Sequence, residues 1–103
     1  MKLNIYSIYD SAAKAYMQPF FVQTNGIAIR LFTDNVNSKD DNQVSKHPQH
    51  FTLFKIGEFD DQKGTIEPMT PEAVATGSEL KEPEPETQLK TLIGKLLNKL
   101  DEE

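Results

Sequence analysis

The sequence contains no cysteine and a single arginine, Arg30, among its 103 residues. The absence of cysteine excludes disulfide bonds, zinc–thiolate sites and cysteine nucleophiles. No apolar run approaches the roughly 18 residues of a membrane span. The residues after Met1 alternate between polar and apolar types and do not form the apolar block of a signal peptide. We therefore expect a cytoplasmic protein that makes no membrane contact.

The sequence also lacks the motifs of catalysis. It has no phosphate-binding loop, no nucleophile elbow and no glycine-rich dinucleotide fingerprint. His47 and His50 have a metal-ligand spacing, but Pro48 lies between them and the motif has no acidic third ligand. The adjacent carboxylates Asp40-Asp41 and Asp60-Asp61 are typical of solvated turns. We predict a protein that is not an enzyme and that holds no metal or cofactor.

Positive charge is scarce throughout the chain. The net charge is −5, of which −2 belongs to residues 1–78 and −3 to residues 79–103. Proteins that bind nucleic acid without sequence specificity cluster lysine and arginine against the phosphates. The charge pattern therefore argues against strong nonspecific DNA binding.

The residue patterns that are present predict an α+β domain. Its small antiparallel sheet has the order strand-strand-helix-strand-strand. The predicted elements are a strand over 2–9, an edge or bulged strand over 16–22 with Pro19, a helix over about 26–37 capped by Asn25, a strand over 51–59, a hairpin loop over 60–64, and a strand that begins at Thr65 and ends at Pro68. A short helical turn is predicted over 71–75.

The predicted strands are apolar on both faces. Alternation in the strand over 51–59 predicts Phe51, Leu53 and Phe59 on one face and Phe54 and Ile56 on the other. One helix covers only one face of a small sheet. The second face therefore must meet another chain, the C-terminal helix or a ligand. A sharper alternative is that Tyr6 and Phe54 stack on nucleic-acid bases.

The C-terminal region predicts a second part of the molecule. The core domain is assigned to residues 1–78, an extended Glu/Pro linker to 79–86, and an amphipathic helix, the tail helix, to 87–103. One apolar stripe runs along this helix: Leu89, Leu92, Ile93, Leu96, Leu97 and Leu100. A helix of this length is marginal alone in water, so the stripe needs a partner. Its own sheet, further copies of the chain, or a different protein all remain possible.

Short segments spread in order over about residues 2–70 resemble one protein family. They are residues 2–10 (KLNIYSIYD), 17–21 (MQPFF), 26–32 (GIAIRLF), Lys46-His47-Pro48 with 51–54 (FTLF), and 57–60 (GEFD). Together they resemble the small nonstructural protein of gokushoviruses, single-stranded DNA phages of the Microviridae. Members often have acidic residues where this chain has Gln49-His50. The tail helix falls outside the resemblance.

The resemblance implies a role in viral DNA synthesis in the host cytoplasm. The first hypothesis is a replication accessory factor that contacts single-stranded DNA as an oligomer, through Tyr6, Arg30, Lys46, Phe54 and Lys55. The alternative is an adaptor that does not touch DNA. It would use the leucine stripe to bind the viral replication initiator or a host replication protein.

Overall fold

The computed structural model describes residues 1–83 and 92–97 and confirms the α+β class. Along the chain the elements are β1 (Lys2–Asp10), β2 (Ala15–Tyr16), β3 (Phe20–Val22), α1 (Asn25–Val36), α2 (Gln43–Lys46), a 3₁₀ helix (Pro48–His50), β4 (Phe51–Asp60), β5 (Thr65–Thr76) and α3 (Gly77–Leu80). Residues 92–97 are also helical.

The strands form one antiparallel sheet with β1 and β4 at its centre. Its order is β2-β1-β4-β5, and β3 also pairs with β1, so β2 and β3 share one edge and β5 forms the other. The predicted strand over 16–22 is divided into β2 and β3 around Pro19. This agrees with the expected edge position, because proline has no N–H to donate to a ladder.

The hydrophobic core lies between one face of the sheet and α1. Ala28, Phe32 and Val36 recur at helical spacing on the buried side of α1. They pack with Val44 and with a set of strand side chains: Tyr6, Ile8, Phe51 and Leu53. The helix begins one residue earlier than predicted, because Thr24, and not Asn25, is the N-cap. The Thr24 hydroxyl accepts the N–H of Ile27 at 3.2 Å.

A bulge in β4 corrects the predicted strand faces. Lys55 pairs with Tyr6 and Gly57 pairs with Ile5, so Ile56 is an extra residue opposite β1. The extra residue reverses the alternation. Phe59 therefore lies on the face opposite Phe51 and Leu53, and the prediction that the three share one face is wrong.

The last strand is longer than its prolines predicted. The hairpin loop ends at Gly64 as predicted but begins one residue later, because Asp60 still belongs to β4. The strand β5 runs through Pro68 and Pro71 to Thr76, so the predicted stop at Pro68 and the helical turn over 71–75 are both wrong. The register shifts between Lys55 and Gly57 where these prolines lie. As an edge strand, β5 accommodates prolines that a central strand would exclude.

In the hairpin loop, backbone N–H groups of Lys63 and Gln62 donate to the Asp60 carboxylate. They hold the pKa of Asp60 below its usual range.

Residues that follow α3 are held against the core. Lys81 Nζ donates to the carbonyl of Val36 at 3.1 Å and to that of Ser45 at 3.2 Å, which satisfies the ends of two helices. Asn37 donates to the Leu80 carbonyl at 2.9 Å and accepts the N–H of Glu82 at 2.8 Å. These contacts fix where the chain leaves the domain. Residues 84–86 of the predicted linker lie outside the described residues.

Candidate interaction surfaces

The described part of the tail helix exposes its apolar stripe. Leu92 is 57% exposed and Leu96 is 62% exposed, and Ile93 and Leu97 are also exposed. The remaining stripe residues, Leu89 and Leu100, lie outside the described residues. Four large apolar side chains within two helical turns form a surface that water solvates poorly. The described part of the predicted stripe is therefore exposed to water.

A second apolar surface is a groove between β3 and α1, here called the apolar groove. It has a volume of about 370 Å³ and is lined by β3 (Phe20–Val22), by Ile8, and by Leu31, Phe32 and Asn35 of α1. Leu31 is 48% exposed, whereas the adjacent Phe32 is 1% exposed in the core.

The sheet face opposite α1, here called the open face, carries no charged residue at its paired positions, where apolar side chains outnumber the polar Ser7, Thr52 and Thr76. Alternation and register place Leu3, Phe59 and Ile66 in one row, and Phe21, Ile5 and Pro68 in another. Charged residues of the strands, including Lys2, Lys55 and Glu58, lie on the face that carries α1. An antiparallel sheet usually has one face packed on the core and a polar face exposed to water. The predicted second face with apolar side chains is present.

Aromatic rings on the open face form two clusters. Tyr9, Tyr16 and Phe54 have ring centroids 4.8 to 6.2 Å apart. Phe21 and Phe59 meet edge to face at 5.6 Å. Between them, the Ser7 hydroxyl donates to the Met17 carbonyl at 2.6 Å, so the segment between β2 and β3 covers the centre of this face.

The structure does not bring the five predicted nucleic-acid residues together. Tyr6 is 0% exposed in the core, so it is not available to stack on a base, and this part of the prediction is corrected. Its hydroxyl donates to Asn25 Oδ1 and accepts from Asn4 Nδ2 at 3.1 Å, and its ring stacks on Phe20 at 5.8 Å. A buried tyrosine that satisfies its hydroxyl in this way is a structural residue.

The other four candidates are scattered. Phe54 lies on the open face, whereas Lys55 lies on the opposite face and pairs with Glu58 at 3.6 Å. Lys46 is exposed and forms an ion pair with Asp41. Arg30 is exposed on α1 and forms no ion pair with another described residue. Two of the three cations therefore each lie within ion-pair distance of a carboxylate.

His47 and His50 lie with ring centroids 5.9 Å apart at the two ends of the 3₁₀ helix. Among residues 1–83 and 92–97, no group of three or more potential metal-ligating side chains lies together. Within the same residues, no helix is long and apolar enough to cross a membrane.

Sequence reasoning did not identify the apolar groove or the role of Asn25. The groove needs β3 and α1 to lie side by side, a contact between separate elements that no local pattern encodes. One signal was present: Leu31 and Phe32 are adjacent in the helix, so both cannot face the sheet equally. Asn25 was interpreted as a cap, whereas its side chain accepts the Tyr6 hydroxyl.

Comparison with known proteins identifies a family match that ends close to the end of the described core. Residues 3–80 match the family described as Phage ORF5 protein. Over 72 residues the chain is 36% identical to Protein ORF5 of Chlamydia phage 1, a match that covers 67% of this chain and 75% of that protein. No solved structure matches the chain. The family match stops at the end of α3, and the tail helix lies beyond it.

Proposed function

Since this chain belongs to the phage ORF5 protein family, we propose that it is a non-enzymatic accessory protein of phage genome synthesis that acts by binding other proteins in the host cytoplasm. Family membership confirms the resemblance to the gokushovirus proteins. In the proposed role, the tail helix is the binding element. Its partner is a protein of the replication machinery, such as the viral replication initiator or a host replication protein, or a further copy of the chain.

The observation that carries this proposal is the exposed leucine stripe of residues 92–97. A short amphipathic helix gains most of its stability by burying its apolar face. Helices of this kind bind other proteins by placing residues spaced three and four apart into an apolar groove. The acidic net charge of −5 and the paired state of Lys46 and Lys55 also favour protein partners over phosphates.

The proposal predicts that one stripe residue controls partner binding. Leu96→Glu places a charge in the centre of the stripe, and glutamate keeps a high helix propensity, so the helix itself is retained. We expect at least a tenfold weaker affinity for the purified viral replication initiator, measured by isothermal titration, because a buried anchor residue contributes more than about 1.4 kcal/mol.

Lys95→Glu is the matched control, because Lys95 is exposed next to Leu96 but outside the stripe. This variant introduces the same side chain and should bind with little change. Equal affinities for Leu96→Glu and the unchanged chain, or no binding by the unchanged chain to any replication protein, would contradict the adaptor proposal.

A second candidate function is direct contact with single-stranded DNA. The observation in its favour is the cluster of Tyr9, Tyr16 and Phe54, with Lys14 in the turn that joins β1 to β2. Aromatic side chains on a sheet can stack on successive bases. The absence of charge at the paired positions of the open face weighs against it, since single-strand binders combine stacking with a basic groove.

Fluorescence anisotropy with a labelled oligonucleotide separates the two candidates in the same set of variants. The adaptor proposal expects no binding even at low salt. The DNA-binding candidate expects binding that weakens with salt, is lost in Tyr16→Ala, and persists in Leu96→Glu.

A further inference from the structure

The leucine stripe of the tail helix and the apolar groove are both exposed and both apolar, so that one could bury the other. We propose that the tail helix of one copy docks in the apolar groove of a second copy, so that two chains exchange their tails. This inference rests on the proposed function only in taking the tail helix as the binding element, and it names the groove that receives it.

The groove has the lining that an apolar helix needs. Its lining comes from β1, β3 and α1, and among the described residues that line it only Asn35 is polar. Leu31 stands 48% exposed at its rim, and Ile27, one turn earlier on the same side of α1, is 41% exposed. Docking would remove these side chains from water together with the leucine stripe, and removal of apolar surface from water favours association.

The spacing of the exposed residues also fits helix-on-helix packing. Ile27 and Leu31 are four residues apart on α1, and Leu92 and Leu96 are four residues apart on the tail, as are Ile93 and Leu97. Rows of side chains at this spacing form ridges. The commonest packing of two helices in globular proteins places such ridges of each helix into the grooves of the other.

The occupant is the tail of another copy because the structure of one chain leaves both surfaces open. The described core ends at Pro83, next to the C-terminal end of α1, where Asn37 holds Glu82. Eight residues, 84–91, separate this point from Leu92. Reciprocal exchange between two copies would fill both grooves and close the assembly.

The test measures molar mass by light scattering for the full chain and its variants. We expect the unchanged chain to have twice the 11.7 kDa mass of one copy. Leu31→Asp in the groove and Leu96→Glu in the tail should each run as single copies. Ile66→Asp, which alters a 59% exposed side chain on the open face, should remain paired. Circular dichroism verifies folding, and Ile27→Asp replaces Leu31→Asp if that variant unfolds.

Mixing the two disrupted variants gives the sharpest readout. Leu31→Asp retains an intact tail and Leu96→Glu retains an intact groove, so their equimolar mixture should recover paired mass through one remaining contact. A bundle of tails alone would instead leave Leu31→Asp paired by itself, and the mixture would add nothing.

Three results would overturn the inference, and they separate it from the proposed function. If Leu31→Asp stays paired while Leu96→Glu does not, tails bind tails and the groove assignment fails, although the tail remains a protein-binding element. If the unchanged chain runs as a single copy, self-docking fails, and titration with the replication initiator decides the adaptor role. If Ile66→Asp dissociates the pair, the open face is the interface.

Discussion

Tyr6 illustrates how a residue that suggests function by its type serves the fold. Its ring fills the core, and its hydroxyl connects β1 to the first turn of α1 through Asn25. Asn4 completes the hydrogen bonds of the hydroxyl. From the sequence alone, an aromatic residue on a strand can be interpreted as a residue that stacks on bases. Whether it can do so depends on the face of the sheet on which its side chain lies.

We predict that Tyr6→Phe lowers the free energy of unfolding by about 0.5–1.5 kcal/mol. The change keeps the ring and removes the hydroxyl, which leaves the amide oxygen of Asn25 without its donor. Urea denaturation monitored by circular dichroism measures the effect. Tyr16→Phe is the control, because Tyr16 is half exposed and its hydroxyl makes no hydrogen bond with the described residues. Equal stability of both variants would mean that the Tyr6 contact with Asn25 contributes nothing.

At the scale of elements, local patterns predicted most of the fold, and contacts between elements account for the errors. Local sequence patterns predict the alternation of β1, the helical spacing in α1 and the loop before β5, because each of these depends on residues that are close together in the chain. The bulge at Ile56 could not be predicted from the sequence, because a residue is recognised as extra only when the strand is paired with its partner strand. Similarly, Pro68 and Pro71 break a central strand but not an edge strand, and sequence alone does not reveal which strand lies at the edge.

The candidate surfaces divide in the same way. The leucine stripe was predicted because the periodicity of a single helix encodes it. The apolar groove was missed because it needs β3 and α1 side by side. The nucleic-acid set was assembled from residue types, and the structure places Phe54 and Lys55 on opposite faces of one strand.

The junction between α3 and the 3₁₀ helix depends on a glycine. A Cβ at Gly77 would lie 2.2 Å from the Pro48 carbonyl oxygen, whereas a Cβ at Gly26 in the first turn of α1 would meet nothing closer than 3.8 Å. We therefore predict that Gly77→Ala lowers the free energy of unfolding by about 1–3 kcal/mol, because backbone must move to admit the methyl group.

The matched substitution Gly26→Ala should leave stability unchanged or raise it by less than about 1 kcal/mol, since alanine favours the helix. Thermal denaturation of both variants provides the comparison. If the two alanine variants melt at the same temperature, the close approach of α3 to Pro48 is not a constraint on the fold.

The molecule as a whole has two parts with different relations to the family. Residues 3–80 match the phage ORF5 proteins and contain the core, the groove and the open face. The leucine stripe lies beyond that match. Any property shared through the matched region must therefore reside in the core. Tail exchange, in contrast, needs both parts, so it should depend on the tail that this chain carries.

This division predicts that the core folds without the tail. All residues of the hydrophobic core cluster lie within residues 1–83. A chain ending at Pro83 should therefore unfold with a free energy within about 0.5 kcal/mol of the full chain, when both are measured by urea denaturation at concentrations where the full chain is a single copy.

Ending the chain at Leu80 instead removes Lys81 and Glu82, and with them the bonds to the carbonyls of Val36 and Ser45 and to Asn37. Because hydrogen bonds from a charged group contribute about 1.5–3 kcal/mol, this shorter chain should be less stable by roughly that amount. A marked loss of stability already in the chain ending at Pro83 would show that the tail packs on its own core. In that case the leucine stripe would be a structural element of one molecule, and no second protein would be needed to cover it.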